Sequence, residues 1–199
     1  MIVIGVVGRI GSGKDELTKV LNRACEVPIL SVGDIARELA YEQGLEVNRE
    51  NLHRISRQAF EDHGRDYFIE QVIERIEAEG WESVSITGIR TPRDVKLLRE
   101  RFGRNFLLVH VEVSDETLRY QRLKKRDRPR DPETFSEFRI QEQEEELLFN
   151  LSETLEMADL TLNNDASLED FHQLVVKELI EGRLADELDC VPNEVRNLQ

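Results

Sequence analysis

The residues Gly8-Arg9-Ile10-Gly11-Ser12-Gly13-Lys14-Asp15 constrain this chain more than any other stretch. They follow the apolar run Ile2-Val3-Ile4-Gly5-Val6-Val7 and precede Glu16-Leu17-Thr18-Lys19-Val20-Leu21, in which Leu17, Val20 and Leu21 recur at helical spacing. The pattern predicts strand, glycine loop and helix in succession, the context in which backbone N–H groups curl around phosphate oxygens. The helix N-terminus adds partial positive charge at the same place, and Lys14 can reach terminal phosphates as a mobile point charge. Gly8, Gly11, Ser12, Gly13, Lys14, Asp15 and Glu16 are therefore candidate nucleotide-binding residues. The match is G-x-x-x-x-G-K with its last position changed: Asp15 stands where a Ser or Thr hydroxyl normally faces Mg²⁺, which makes it the candidate metal-side residue. A glycine turn that merely opens a surface helix is the plainer alternative.

The strand–loop–helix opening is repeated in outline along the chain. Strands are expected near 27–32, 82–87, 105–113 and 159–164. Between them fall a helix capped by Asp34, one capped by Asn48 and stopping at Gly64, and one from Asp66 to Gly80. Thr91 and Pro92 suit N-cap and N1 of a helix ending at Phe102-Gly103. Ser114 caps a basic helix that Pro129 and Pro132 interrupt, a long acidic helix runs on to about Glu156, and Ser167 caps a last one ending at Gly182. Phe135, Phe138, Leu147, Leu148, Leu151 and Leu155 form an apolar stripe expected to pack. The polar tail 183–199 is expected to bury little. Alternation of this kind implies an α/β fold with a five-stranded parallel sheet, helices on both faces, and ligands beyond the carboxyl ends of the strands.

Charge narrows the partners. The 199 residues sum to −14, a poor footprint for nucleic acid. No apolar run approaches the roughly 20 residues that span a bilayer. Met1 leads straight into the first strand, and Cys25 and Cys190 lie far apart without a C-x-x-C partner. Free thiols in a cytoplasmic protein, a monomer or homodimer with no nucleic acid or membrane partner, are the simplest expectation. Against this acidic background, seven of the 27 basic residues crowd into positions 119–130. A local cluster of that kind implies a local anion, or else a basic face paired to the acidic helix that follows.

Several motifs share a family likeness. Ile29-Leu30-Ser31-Val32-Gly33-Asp34-Ile35-Ala36-Arg37 resembles the I-S-T-G-D-x-x-R stretch of adenylate kinase and other nucleoside monophosphate kinases. That resemblance places Ser31, Gly33 and Arg37 at an acceptor site, with Arg37 gripping the acceptor's phosphate; a capped helix with a solvated arginine is the alternative. Ile86-Thr87-Gly88-Ile89-Arg90 resembles the D-G-x-x-R element of the same kinases, whose arginine suits a bridging or acceptor phosphate. Thr87 replaces the family's aspartate, so a carboxylate is lost there and gained at Asp15. The S-G-K-D form is similar to the loops of phage-type deoxynucleoside monophosphate kinases and animal-type phosphomevalonate kinase. The basic cluster is similar to a lid, with Arg122, Arg126, Arg128 and Arg130 closing over the transferring phosphoryl group. Its spacing also resembles uncharacterised microbial proteins related to dephospho-CoA kinase. Asn163-Asn164-Asp165-Ala166-Ser167-Leu168-Glu169 resembles a segment that lies beside the donor's adenine, which makes Asn164 a further candidate.

The resemblance implies a P-loop kinase domain over 1–182, with acceptor-binding helices at 34–80 and a lid at 119–140. It implies transfer of the γ-phosphoryl of ATP, with Mg²⁺, to a small phosphorylated or nucleotide-like acceptor. Lys14, Arg90, Arg122, Arg126 and Arg128 are the candidate catalytic residues, and Ser31, Gly33, Arg37 and Arg90 the candidate acceptor ligands. A nucleotide-binding switch or slow ATPase, read out through the acidic helix 134–156, is the competing class.

Overall fold

The computed structural model describes residues 1–126, 131–188 and 190. Five strands, β1 (Ile2–Val7), β2 (Ile29–Ser31), β3 (Ser83–Thr87), β4 (Phe106–Glu112) and β5 (Leu160–Asn163), form one sheet in the order β2-β3-β1-β4-β5. Every pairing is parallel. The sheet is thus the expected five-stranded α/β arrangement of a P-loop nucleotide-binding fold.

β1 lies at the centre because it is apolar on both faces. Ile2, Ile4 and Val6 point to a layer made with Leu17, Leu21, Val109, Phe171 and Leu179. Val3 and Val7 point to the opposite layer with Leu30, Ile69, Val72, Ile86, Leu98 and Leu108. The first layer is covered by α1 (Lys14–Cys25) and α9 (Leu168–Leu174), which continues as a π-helical stretch, Val175–Arg183. The second is covered by α2 (Val32–Glu42), α3 (Arg49–His63), α4 (Tyr67–Glu79) and α5 (Pro92–Phe102). Each buried aliphatic side chain contributes about 1.5–3 kcal/mol, so a strand buried on both faces is the natural keel.

The caps follow local chemistry. Asn48 accepts from the Asn51 amide, and both Thr91 and Ser167 close capping boxes, with Asp94 and Asp170. α2 departs from expectation: it starts at Val32 with Ser31 as N-cap, so Asp34 lies within its first turn, where a carboxylate still complements the helix dipole.

Three further expectations are corrected. The acidic helix is two helices, α7 (Phe135–Phe149) and α8 (Leu151–Glu156), because Asn150 takes a left-handed conformation at φ 51°. Of the apolar stripe, Phe138 and Leu151 are buried, whereas Leu147 and Leu148 are 87% and 71% exposed. The residues after 182 do bury surface. Leu184 is buried, Leu188 and Cys190 pack on the α1 layer, and Cys190 is disulfide-bonded to Cys25, so free thiols are not what the fold contains. The chain beyond the π-helical stretch returns to the C-terminal end of α1, a proximity that 165 residues of separation conceal. Among the described residues, no helix is long and apolar enough to cross a membrane.

Register brings the site together. Val6, Thr87 and Ser31 align across β1, β3 and β2, and three loops leave the sheet just beyond them: 8–13, the start of α2, and 88–91. α6 (Glu116–Arg126) follows β4 at the same edge.

Candidate active site

The loop after β1 is shaped by three glycines with positive φ: 154° at Gly8, 78° at Gly11 and 100° at Gly13. All three also face close neighbours, Gly8 with a Cβ position 2.6 Å from the Val111 carbonyl oxygen. A Cβ at Gly11 would lie 2.7 Å from the Arg119 carbonyl oxygen, and one at Gly13 would lie 2.4 Å from Asn164 Nδ2. The loop is therefore pressed between α6 and the turn after β5. Gly13 is the N-cap of α1 and provides no side-chain cap, which leaves the first amides of the helix facing the loop.

Lys14 curls back over this loop. Its Nζ donates to the carbonyl oxygens of Gly8 at 2.8 Å and Arg9 at 3.1 Å. Burial pushes its pKa down from 10.5 to about 8; the Glu145 and Asp15 carboxylates oppose that fall, and Arg90 and Arg126 add to it. Ser12 Oγ is buried with no hydrogen-bond partner among the described residues. A buried hydroxyl without a partner, in a glycine loop that also holds Lys14, fits the phosphate chain of a nucleotide.

Neighbouring elements hold the loop in place. Asn164, 4% exposed, donates from Nδ2 to the Ser12 carbonyl at 2.8 Å. Arg122 Nη2 donates to Asn164 Oδ1 at 3.4 Å and to the Ala166 carbonyl at 3.3 Å. Burial lowers the Arg122 pKa from its ordinary value. Arg119 is buried, donates to the Ile10 carbonyl at 3.2 Å, forms a two-pronged pair with Glu142, and lies 5.2 Å from the Phe138 ring. Arg9 reaches Glu146 at 3.3 Å and Ser152 Oγ at 2.9 Å. Glu16, grouped with the loop by sequence, faces Lys19 at 2.7 Å and His172 at 3.9 Å, and its amide bonds to the Gly13 carbonyl.

The remaining arginines lie on ion pairs. Arg37 Nε donates to Asp34 Oδ1 at 3.0 Å, with Nη2 on the same oxygen. Its guanidinium lies over Gly33, where a Cβ would be 3.3 Å from Nη1. Arg90 Nη1 is 3.7 Å from Glu145 Oε1, and its guanidinium sits 5.0 Å from the Phe149 ring. Arg126 is paired with Asp131, which raises its pKa, and it also feels Asp15. Arg128 and Arg130 lie outside the described residues.

Sequence reasoning offered a basic face paired to the acidic helix, which Arg119 and Glu142 realise, but missed that α7 also meets the phosphate loop and Arg90. Glu142, Glu145, Glu146 and Phe149 meet Arg119, Arg90 and Arg9, and their i, i+3, i+4, i+7 spacing on an acidic helix was the available signal. Among the described residues there is no group of three or more His, Cys, Asp or Glu able to hold a metal ion. An open cleft of about 500 Å³, lined by His63, Gly64, Arg65, Asp66, Glu70 and Arg93, shares no residue with the phosphate loop.

A five-stranded parallel sheet of order 2-3-1-4-5 with this loop after its central strand defines a P-loop kinase-like fold. The chain belongs to the AAA_17 family (AAA domain), whose model matches residues 7–139, and to the UPF0200 proteins. It is 36% identical over 170 residues to the UPF0200 protein of Hyperthermus butylicus, covering 85% of this chain and 89% of that one. It is 38% identical over 171 residues to that of Methanoculleus marisnigri, covering 86% and 91%. Among solved structures, a gluconokinase from Sinorhizobium meliloti is similar at a TM-score of 0.57 and 16% identity, over 93% of this chain and 94% of that one. A shikimate kinase from Bacteroides thetaiotaomicron is similar at 0.56 and 19%, over 90% and 98%. At such identities the likeness is of fold alone.

Proposed function

We propose that the protein is an ATP-dependent phosphotransferase that moves the γ-phosphoryl group to a small acceptor. The observation behind this reading is that, among the described residues, a buried Ser12 hydroxyl has no partner and the Lys14 ammonium hydrogen-bonds to the Gly8 and Arg9 carbonyls of its own loop. Both gain partners when a phosphate chain enters. The loop amides and Lys14 would hold the β- and γ-phosphates, with Gly8, Gly11 and Gly13 allowing the close approach. Bound Mg²⁺, held beside Asp15, would neutralise phosphate charge. Arg90 and Arg126 would stabilise the charge spread over the moving group, and Arg128 is a candidate for the same part. Arg37, with Ser31 and Gly33, would orient an anionic part of the acceptor by exchanging Asp34 for it. Asn164 and Arg122 would keep the loop in register. Resemblance suggests nucleoside or deoxynucleoside monophosphates and dephospho-CoA as acceptors.

The test is ADP release from Mg·ATP with a panel of those acceptors. Strong stimulation by one member is expected, with Lys14→Ala weakening nucleotide binding by about 1.5–3 kcal/mol, roughly tenfold to a hundredfold or more. Release indifferent to every acceptor, together with full activity in Lys14→Ala, would overturn the reading. A switch or slow ATPase is the second reading. It is favoured by the direct contact of α7 with loop residue Arg9 and by the exposed Leu147 and Leu148 on that helix.

A further inference from the structure

Resting on the phosphotransferase reading, we propose that Glu145 is the general base of the reaction and that the group receiving the phosphoryl is a hydroxyl, not a phosphate. The three glutamates that α7 turns toward the site differ sharply. Glu142 is locked by both prongs of Arg119. Glu146 is locked by Arg9 and by the Ser152 amide and hydroxyl. Glu145, between them, accepts no hydrogen bond among the described residues; its one ion-pair contact is Arg90 Nη1 at 3.7 Å, beyond hydrogen-bond reach. Its neighbours thus hold the helix against the loop and leave this carboxylate beside Arg90 and Lys14 with its oxygens available.

A negative group in that position has opposite consequences for the two kinds of acceptor. A phosphate acceptor brings its own charge, and a carboxylate there would repel it. A hydroxyl acceptor must lose a proton as it attacks, and a carboxylate within reach can take it. The two arginines that the kinase likeness gives to an acceptor phosphate are both on carboxylates, Arg37 on Asp34 and Arg90 on Glu145. In the step, the acceptor oxygen bonds to the γ-phosphorus while the bond from that phosphorus to the β,γ-bridging oxygen breaks. The electron pair of the broken bond leaves with ADP. The hydroxyl proton passes to Glu145 and from there to water.

Water is itself a hydroxyl acceptor, so the phosphotransferase reading entails a slow, acceptor-free hydrolysis of ATP by the full chain, and that rate is the probe. Glu145→Gln keeps the shape and removes the base; it is expected to slow acceptor-free ADP formation about 100-fold and leave the ATP dissociation constant within about threefold. Glu144→Gln, on the outward face of α7, serves as the charge control. Unchanged or faster turnover in Glu145→Gln overturns the proposal, as does tighter ATP binding without loss of rate. Phosphorus NMR of the product decides the acceptor group: a phosphate monoester on carbon supports the proposal, and a new diphosphate linkage overturns it. Failure of the wild-type chain to bind ATP would instead sink the phosphotransferase reading, which keeps the two failures apart.

Discussion

The two parts of the site that the proposed reading assigns to donor and acceptor are built from different materials. On the donor side, backbone geometry dominates: three positive-φ glycines, a lysine on its own loop's carbonyls, and buried Asn164 and Arg119 clamping the loop from outside. On the acceptor side, Arg37 and Arg90 lie on partly exposed carboxylates that another anion or a small conformational change could replace. The difference teaches where specificity can vary. On the proposed reading, phosphate binding would depend on the packing of the whole α/β core, whereas acceptor choice would rest on a few exchangeable pairs. The clamp and the exchangeable pairs meet on one helix, α7, which carries Glu142 for the first and Glu145 for the second.

The sharpest break of that contrast is Arg119→Leu. The Arg119 and Glu142 side chains are 6% and 13% exposed, so the substitution strands a nearly buried carboxylate beneath the loop. A loss of about 3–5 kcal/mol in denaturant unfolding is expected, with Arg119→Leu/Glu142→Leu recovering most of it. A loss below about 1 kcal/mol would mean that the pair is not the clamp.

Next comes the far end of α1. Cys25→Ser opens a loop whose ends are 165 residues apart, which should cost about 2–4 kcal/mol and leave nucleotide affinity unchanged. Reductant should reproduce the loss in the wild-type chain and do nothing to the variant. Coupled loss of ATP binding would show that the disulfide reaches the loop through α1.

The two sides also differ in how far the sequence discloses them. The donor loop was legible because glycines, a lysine and flanking apolar runs are local signals, and so were the caps at Asn48, Thr91 and Ser167. The sheet followed from alternation alone. The acidic helix was legible as a partner of the basic cluster, but the individual pairs were not, because Arg119 and Glu142 or Arg9 and Glu146 meet only after the chain has folded, and a run of glutamates does not say which of them face inward. Asn150 hid the break between α7 and α8, since one asparagine inside a helical pattern has no periodic signature. The disulfide was missed because the chain after the π-helical stretch looks polar, although Leu184, Leu188 and Cys190 turn back onto α1.

Arg90→Ala should sharpen the contrast from the other side. The side chain is 52% exposed and its pair with Glu145 is long, so the melting temperature should move by less than about 3 °C. Turnover should nonetheless fall, because the proposed role of the guanidinium is at the moving phosphoryl group and not in the fold. A large drop in melting temperature would place Arg90 with the clamp.

The smallest effect is a fraction of a proton on Lys14. Its folded pKa, about 8, lies below the ordinary 10.5, so the folded protein gives up this proton before the unfolded chain does. Between pH 8 and 10.5 the unfolded chain binds more protons, and the penalty that buried Lys14 imposes on the fold is relieved as pH rises across that window; below pH 8 the penalty is fully present. A phosphate oxygen against Nζ favours the ammonium and draws the proton back. Binding of ADP in metal-free buffer at pH 8 should therefore take up about half a proton, and affinity should weaken as pH rises above that value. Calorimetry in two buffers of different ionisation enthalpy reads the uptake directly. An enthalpy independent of buffer would mean that the ammonium is already fully charged before the phosphates arrive. The donor side would then be less dry than its packing indicates, and the contrast with the acceptor side correspondingly weaker.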